Sequence, residues 1–287
     1  MGKERSAMTI GREAVRKMHV FSRFIAVMLL MSLAGCIEMH TTVEVHKDGS
    51  GTIEQKVLYT GMLRSMMDGA MQSGKKESLL PDRKRLDSMA SDFGPEVRLK
   101  RVSMINKGNE LGYQVMFTYP DVEKIRIGNS LQENNFTGTG STGAVPDSVA
   151  KKKQEVWFTF GMKRGPQPEL TVLKQTELMH SPSSSTDSKK MNEKERRESM
   201  AMAKPFLKDM KMVVDLVVDG QVTSSDASHR TGNRFTLFSV EFDKLLEQPD
   251  IFSKKYEGLS DIELLKKIGP DSGLTLETKK RVAIGFN

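Results

Sequence analysis

Apolar and polar residues alternate over several stretches of the chain after residue 40, which is the period of a half-buried β-strand. In three places, two such stretches flank a short segment rich in the turn-forming residues Gly, Pro, Asn and Asp. We therefore predict three hairpins: Val43 to Tyr59 with a turn at 48–51, Val97 to Tyr119 with a turn at 106–109, and Val156 to Val172 with a turn at 165–168.

Other segments place apolar residues at the three- and four-residue spacing of an amphipathic helix. The predicted helices are Met62 to Met71, Arg85 to Phe93, a short one opened by Pro120 that carries Val122, Ile125 and Ile127, and Leu259 to Ile268. Met210 to Val218 predicts a further strand, and Leu274 to Phe286 predicts a closing hairpin or strand. This order of elements indicates an α+β fold, a mainly antiparallel sheet built of successive hairpins with helices on one face.

One apolar run, from Phe24 to Leu33, does not alternate. Basic residues precede it and the small residues Ala34 and Gly35 follow it, as in the charged, apolar and cleavage regions of a secretory leader. The run is too short to span a bilayer, which takes roughly 20 apolar residues. We predict that residues 1–35 are a signal peptide cleaved between Gly35 and Cys36, and the start codon stays open between Met1, Met8 and Met18.

The string from Leu33 to Cys36 resembles the lipobox of bacterial lipoproteins, and Cys36 is the only cysteine in the chain. The resemblance implies that Cys36 is the first residue of the mature protein and carries a palmitate-type lipid anchor. The alternative is a leader followed by an ordinary free or buried cysteine. Residues 37–39 alone separate Cys36 from the predicted strands, so we expect a tether of about 10 to 15 Å and a domain close to its membrane.

The lipobox resemblance also implies a location in the cell envelope. If the envelope has two membranes, Ile37 in place of Asp after the cysteine favours the outer membrane, on its periplasmic face or at the surface. With one membrane, the outer face of the cytoplasmic membrane is expected. Without the leader, the mature chain has 38 basic and 35 acidic residues, which is too balanced to favour nucleic acid as a partner.

Composition divides the mature chain into three parts. Residues 36–178 and 205–287 carry the strand and helix patterns, whereas residues 179–204 are rich in Ser and in charged residues and predict a polar linker or excursion. The last part is either a separate α+β region or the completion of the same sheet.

The sequence contains fragments of catalytic and metal-binding patterns but no complete set. His229 lies near Ser224, Ser225, Asp226 and Ser228, which keeps open a hydrolase of unrecognised type, although residues so close in sequence favour a turn. Met62, Met66, Met67 and Met71 could bind Cu(I), although their helical spacing favours core packing. Three motifs carry no chemistry: Gly138, Gly140 and Gly143 lack a strand and a helix around them, Ser148 and Lys151 lack the companion motifs of penicillin-recognising enzymes, and His40 and His46 are too far apart along a strand to share a metal ion.

The mature region resembles, in pattern, envelope lipoproteins of the LppM kind, in the segments Val43 to Tyr59, Leu111 to Ile125 and Met212 to Leu246. No catalytic residues come with this resemblance, and we expect no cofactor and no metal. The expected function is that of a lipid-anchored envelope lipoprotein with a non-enzymatic binding or structural role close to the membrane. Its partner would be a protein, a peptide or a lipid; the hydrolase and the Cu(I)-binding protein are the alternatives.

Overall fold

The computed structural model describes residues 37–60, 64–65, 67–69, 80–108, 110–128, 155–176, 178, 198, 204, 207, 210–248, 254–256 and 258–287. The predicted leader, Cys36, the residues Met62, Met66 and Met71, the 138–143 glycine motif and the Ser148–Lys151 pair lie outside the described residues.

Thirteen strands and three α-helices are described. The strands are β1 (Ile37–Val45), β2 (Gly51–Tyr59), β3 (Arg98–Lys107), β4 (Glu110–Tyr119), β5 (Arg126–Gly128), β6 (Val156–Lys163), β7 (Glu169–Lys174), β8 (Lys211–Val218), β9 (Val222–Ser225), β10 (Arg230–Thr231), β11 (Arg234–Glu241), β12 (Leu274–Leu276) and β13 (Arg281–Phe286). The helices are α1 (Arg83–Phe93), α2 (Phe242–Leu245) and α3 (Asp261–Ile268), and short 3₁₀ turns occur at Val122–Lys124, Lys254–Tyr256 and Pro270–Ser272.

The strands form two sheets. The large sheet has the order β10-β11-β8-β1-β2-β4-β3, and β12 pairs with β11 further along the strand than β10, on the edge opposite β8. The small sheet has the order β5-β6-β7-β13-β9. All described pairs are antiparallel except β1 with β8, which run parallel over eight residue pairs. The prediction of a mainly antiparallel α+β fold is therefore confirmed, although the strands are divided between two sheets. That the helices lie on one face stays a prediction.

The three predicted hairpins are confirmed, because β1 pairs with β2, β3 with β4 and β6 with β7 across the expected turns. Alternation on β1 is strict: every second residue from Ile37 to Val45 is buried and the residues between them are partly exposed. The buried faces of both sheets belong to one continuous apolar core. At one point of contact between the sheets, the Trp157 and Phe238 rings lie 5.5 Å apart.

Helix α1 closes part of this core. Asp82 accepts a hydrogen bond from the backbone N–H of Arg85 and so caps the helix, whose apolar side packs inward through Leu86, Met89, Ala90 and Phe93. The Phe93 ring lies 5.5 Å from that of Phe117 on β4. Helix α3 confirms the helix predicted from Leu259 to Ile268; it begins with a capping box between Ser260 and Glu263 and has Lys266 and Lys267 in its last turn.

Three sequence predictions are corrected. The helix expected after Pro120 is a single 3₁₀ turn, since Ile125 and Ile127 stand two residues apart and β5 takes up the extended conformation that buries Ile127 against β6. The closing segment, predicted as a hairpin or a strand, forms two strands but not a hairpin, because β12 pairs with β11 in the large sheet and β13 lies between β7 and β9 in the small one. Residues 37–39 are not a tether, because they form the start of β1.

Candidate functional site

The face of the large sheet that points away from the core is polar; we call it the outer face. Alternation places Glu38, His40, Thr42 and Glu44 of β1 there. The residues paired with these on the neighbouring strands β2 and β8, and on β11 beyond β8, point to the same face. On these four central strands the outer face carries the acidic side chains Glu38, Glu44, Glu54, Asp215 and Glu241 and the basic side chains Lys56, Lys211 and Arg234.

A groove of about 590 Å³ lies on this face, over β1, β8 and β11. Its floor is formed by His40, Lys211, Val213, Asp215, Thr236 and Ser239, and its wall by Ser228, His229, Arg230 and Thr231. The pairing register brings these residues side by side across the strands: His40 is opposite Val213, Val213 is opposite Ser239, and Ser239 is opposite Thr275 of β12. The groove therefore joins residues that are up to 235 positions apart in the sequence.

Asp215 fixes the middle of the floor. Asp215 is 8% exposed, and its carboxylate accepts hydrogen bonds from Thr236 Oγ1 at 2.8 Å and from Arg234 Nη1 at 2.7 Å. The β-bulge between Thr236 and Phe238 keeps Thr236 facing Asp215 while the strand beyond it changes register. At the end of the floor nearest the start of β1, Lys211 pairs with Glu241 at 3.0 Å.

A buried carboxylate holds the wall. Glu277 is 1% exposed and accepts hydrogen bonds from the Ser228 backbone N–H at 2.8 Å, from the Ser228 hydroxyl at 2.7 Å and from the Lys279 N–H at 2.9 Å. The Nε2–H of His229 donates to the Leu276 carbonyl at 3.1 Å, and the His229 carbonyl accepts from the Thr236 N–H at 3.1 Å. Several hydrogen bonds to one buried charge make a rigid wall, which is what a preformed binding surface requires.

The groove mixes neutral, basic and acidic groups. Burial lowers the pKa of His40 below its usual value; Lys211 and Lys56 act in the same direction, while the nearby Glu38 and Asp215 oppose them. The Arg230 guanidinium donates from Nε to the Gly232 carbonyl at 2.7 Å and lies 5.9 Å from the centre of the Phe235 ring. Such a surface suits polar ligands with hydrogen-bonding groups along their length.

The residues of the hydrolase hypothesis do not converge on one point. Asp226 accepts from the Ala283 N–H at 2.8 Å and pairs with Lys279 at 3.4 Å, which holds its pKa below the usual range, and it does not line the groove. His229 and Ser228 do line the groove, but the Ser228 hydroxyl donates to Glu277 rather than to His229. In this arrangement Asp226 does not orient His229, and His229 does not activate Ser228.

The residues considered for metal binding are also dispersed. His40 lies in the groove, whereas His46 lies beside Ser50 in the β1–β2 turn, with Nδ1 3.2 Å from the Ser50 hydroxyl. Among the described methionines, Met39, Met89 and Met212 belong to the buried core and Met67 packs against it. Within the part of the chain that the structure describes, no three His, Cys, Asp or Glu side chains gather into a set that could hold a metal ion.

Sequence reasoning did not find the groove. One signal was available: Asp215 is a lone acid inside the apolar run Met212–Val218, and a buried acid of this kind needs partners. Its partners Arg234 and Thr236 lie on a different strand, so only the pairing of β8 with β11 reveals them.

Comparisons with known proteins add little to this picture. No protein-family model matches the chain, and no curated protein matches it. A solved structure that resembles it is the NMR structure of the folded domain of LppM from Mycobacterium tuberculosis, with 8% identity and a TM-score of 0.32 over 88% of this chain and 91% of that one. A similarity of that degree carries no argument about fold or function. Among the residues described, no helix is long and apolar enough to cross a membrane.

Proposed function

We propose that this chain is a lipid-anchored envelope lipoprotein with a non-enzymatic binding role close to the membrane, and that the groove on the outer face is its binding site. Cys36 carries the lipid, with palmitate-type acyl chains, after cleavage behind Gly35. The partner is a protein, a peptide or a lipid of the envelope. In a cell with two membranes the anchor lies in the outer membrane; otherwise it lies in the outer leaflet of the cytoplasmic membrane.

The start of β1 is the observation that carries this proposal. Ile37, the residue after the lipobox cysteine, is 4% exposed and paired with Tyr59, so the folded domain includes residue 37. A folded domain that includes the residue after the lipobox cysteine supports removal of the leader up to that cysteine. His40 lies three residues further on, about 10 Å along the strand, so a lipid on Cys36 keeps the groove close to the bilayer surface.

The groove supports binding rather than catalysis. In its floor, Asp215 accepts hydrogen bonds from two donors. In its wall, Ser228 is hydrogen-bonded to Glu277 and His229 to the Leu276 carbonyl. Fixed polar groups around an open groove provide recognition without an activated nucleophile.

The anchor is tested with Cys36→Ser in cells that also receive an alkyne analogue of palmitate. The unaltered chain should incorporate the analogue, partition with membranes and have the mass of a chain that starts at an acylated Cys36. The Cys36→Ser variant should keep its leader and incorporate none, and the control Ser22→Ala, which leaves the lipobox intact, should behave as the unaltered chain. An unmodified thiol on the mature unaltered chain would contradict the anchoring.

The groove is tested with a photo-reactive residue at Thr231, in the wall, in intact cells. Capture of a discrete neighbour from this position, and its loss when Ser239→Trp fills the floor, would support binding in the groove. The same photo-reactive residue at the exposed Lys163 of β6 is the control. Capture that is equal from both positions, or that persists in the Ser239→Trp variant, would count against a binding role for the groove.

A further inference from the structure

The large sheet has two distinct ends, and strand register assigns residues to each. At the end where β1 starts, Ile37 is opposite Tyr59, Tyr59 is opposite Leu111, and Glu38 is opposite Lys211. The β3–β4 turn around Gly108 and helix α2, which follows β11, lie at this same end. We call it the β1 end.

The opposite end carries the β1–β2 turn, with Lys47 exposed. Nine residues of β1 separate the two ends, from Ile37 to Val45, and at about 3.3 Å per residue the separation is about 26 Å. At this separation, labels at the two ends can show which end lies at a lipid surface and which lies in solution.

The chain leaves no slack between the anchor and the β1 end. Consecutive Cα atoms are about 3.8 Å apart, so Cys36 lies within one residue of the buried Ile37. Ile37 forms a register pair with Tyr59 and its side chain belongs to the core, so releasing it to lengthen the connection would disrupt the sheet. Lipid on Cys36 must therefore enter the bilayer directly beside the β1 end.

The charges on the sheet argue against its lying flat on its outer face. The four central strands carry five carboxylates and three basic groups on that face, a balance that does not attract an anionic leaflet. Among the described residues at the β1 end, exposed charged side chains are Lys107 and Glu110 in the β3–β4 hairpin and Asp243 and Lys244 in α2. Such side chains suit the headgroup layer rather than the hydrocarbon.

Building on the proposed lipid anchor, we infer that the β1 end is the membrane-contacting surface of this protein. The strands of the large sheet stand away from the bilayer, the β3–β4 turn and α2 touch lipid headgroups, and the β1–β2 turn points away. The groove then runs outward from the membrane along β8 and opens to the side, where a partner reaches it without displacing lipid.

Spin labels on the acylated, full mature chain test this orientation. Cys36 is consumed by acylation, so a cysteine introduced at Lys107, Lys244 or Lys47 is the only thiol that reacts with the label. Each variant is placed in vesicles of phosphatidylethanolamine and phosphatidylglycerol that contain a nickel-chelating lipid, and the enhancement of spin relaxation by the surface nickel is measured. Urea unfolding of each labelled chain checks that the fold is kept.

Labels at Lys107→Cys and Lys244→Cys should relax severalfold faster in the presence of nickel lipid, and the label at Lys47→Cys should change little. A label at Thr42→Cys, midway along the outer face, should give an intermediate value. Equal enhancement at Lys47 and Lys107 would mean that the sheet lies flat, and stronger enhancement at Lys47 would mean the reverse orientation; either result overturns the inference. Mass spectrometry of the same samples reports acylation separately, and an unmodified Cys36 would overturn the proposed anchor and the orientation that depends on it.

Discussion

His40 is a titratable group placed where its protonation opposes folding. Its side chain is 36% exposed, with Nε2 3.8 Å from a Glu38 carboxylate oxygen, while Lys56 and Lys211 stand on the neighbouring strands. Burial is the main cause of its lowered pKa, the two lysines add to the effect, and Glu38 and Asp215 oppose it. The neutral imidazole is therefore the form that the folded protein favours.

This pKa shift predicts a pH dependence of stability. Because the pKa of His40 is lower in the folded than in the unfolded chain, the unfolded chain binds the proton first, and the free energy of unfolding should fall as pH drops below about 6.5. His40→Gln should remove part of this fall. Urea unfolding at pH 7.5 and 5.5 measures it, and an identical loss of stability in both proteins would exclude His40 as the source.

Glu277 connects the core to the wall of the groove. In Glu277→Gln an amide N–H₂ replaces one oxygen that accepts from Ser228 or Lys279, so a buried donor loses its acceptor at a cost of about 1–3 kcal/mol. We expect faster amide hydrogen exchange in residues 228–231 and a lower urea midpoint.

The exposed Glu247 offers the matched control for that change. Glu247→Gln should leave both the exchange in residues 228–231 and the urea midpoint unaltered. If Glu277→Gln left the wall as protected as in the unaltered chain, the rigidity of the wall would have another origin.

At the scale of elements, a buried ion pair fastens α3 to the small sheet. Lys174 Nζ lies 2.9 Å from Asp261 Oδ2, the two side chains are 3% and 1% exposed, and Asp261 also accepts from the Leu178 N–H at 3.1 Å. The first residue of α3 is thereby tied to the end of β7.

Breaking this pair should be costly. Asp261→Asn removes the negative charge from this buried pair and should lower the free energy of unfolding by about 3–5 kcal/mol. Asp87→Asn, which removes an exposed pair with Arg83 inside α1, should cost about 0.5 kcal/mol or less. Urea unfolding compares the two, and similar small losses would show that α3 is held by its apolar contacts alone.

Local elements were predictable from the sequence, and their assembly was not. The hairpin turns at Asp48–Gly51 and Asn106–Asn109 follow from residue types that adopt tight turns, so those strand pairs could be predicted. Residues 122–127 fit both the helical and the strand period, since Val122 and Ile125 stand three apart while Ile125 and Ile127 stand two apart. The chain forms a 3₁₀ turn at Val122–Lys124 and becomes a strand at Arg126, where it pairs with β6. The sequence pattern also predicted one sheet rather than two, because no local feature between β12 and β13 indicates that they join different sheets.

The candidate site escaped sequence reasoning for the same reason. His40, Asp215 and His229 come together only through the parallel pairing of β1 with β8 and the antiparallel pairing of β8 with β11. The proximity of Asp226 to His229 in the sequence was misleading, because the Asp226 side chain turns towards Ala283 and Lys279.

At the scale of the whole molecule, each sheet draws strands from both sides of residues 179–204. Strand β8 occupies the centre of the large sheet between β1 and β11, and β13 pairs with β7 over five residue pairs in the small sheet. The two parts of the chain therefore share one core and should not separate when the connection between them is cut.

A protease site inserted into the Ser-rich segment 181–188 tests this. After cleavage, the two fragments should elute together on size exclusion, unfold in one transition and separate only in denaturant, because β1 and β8 remain paired over eight residues. The uncleaved insertion variant is the control for the insertion itself. Fragments that separate in native buffer would mean that the two parts fold independently.

The central position of β1 has a mechanical consequence for a protein held by Cys36. A pull on the anchor acts along β1, which is flanked by β2 on one side and by β8 on the other. The hydrogen bonds on both sides are then loaded together, whereas a strand at a sheet edge would be held by one ladder alone. The proposed lipid anchor would therefore pull on two hydrogen-bond ladders at once, and we expect the domain to stay folded when that anchor is under tension.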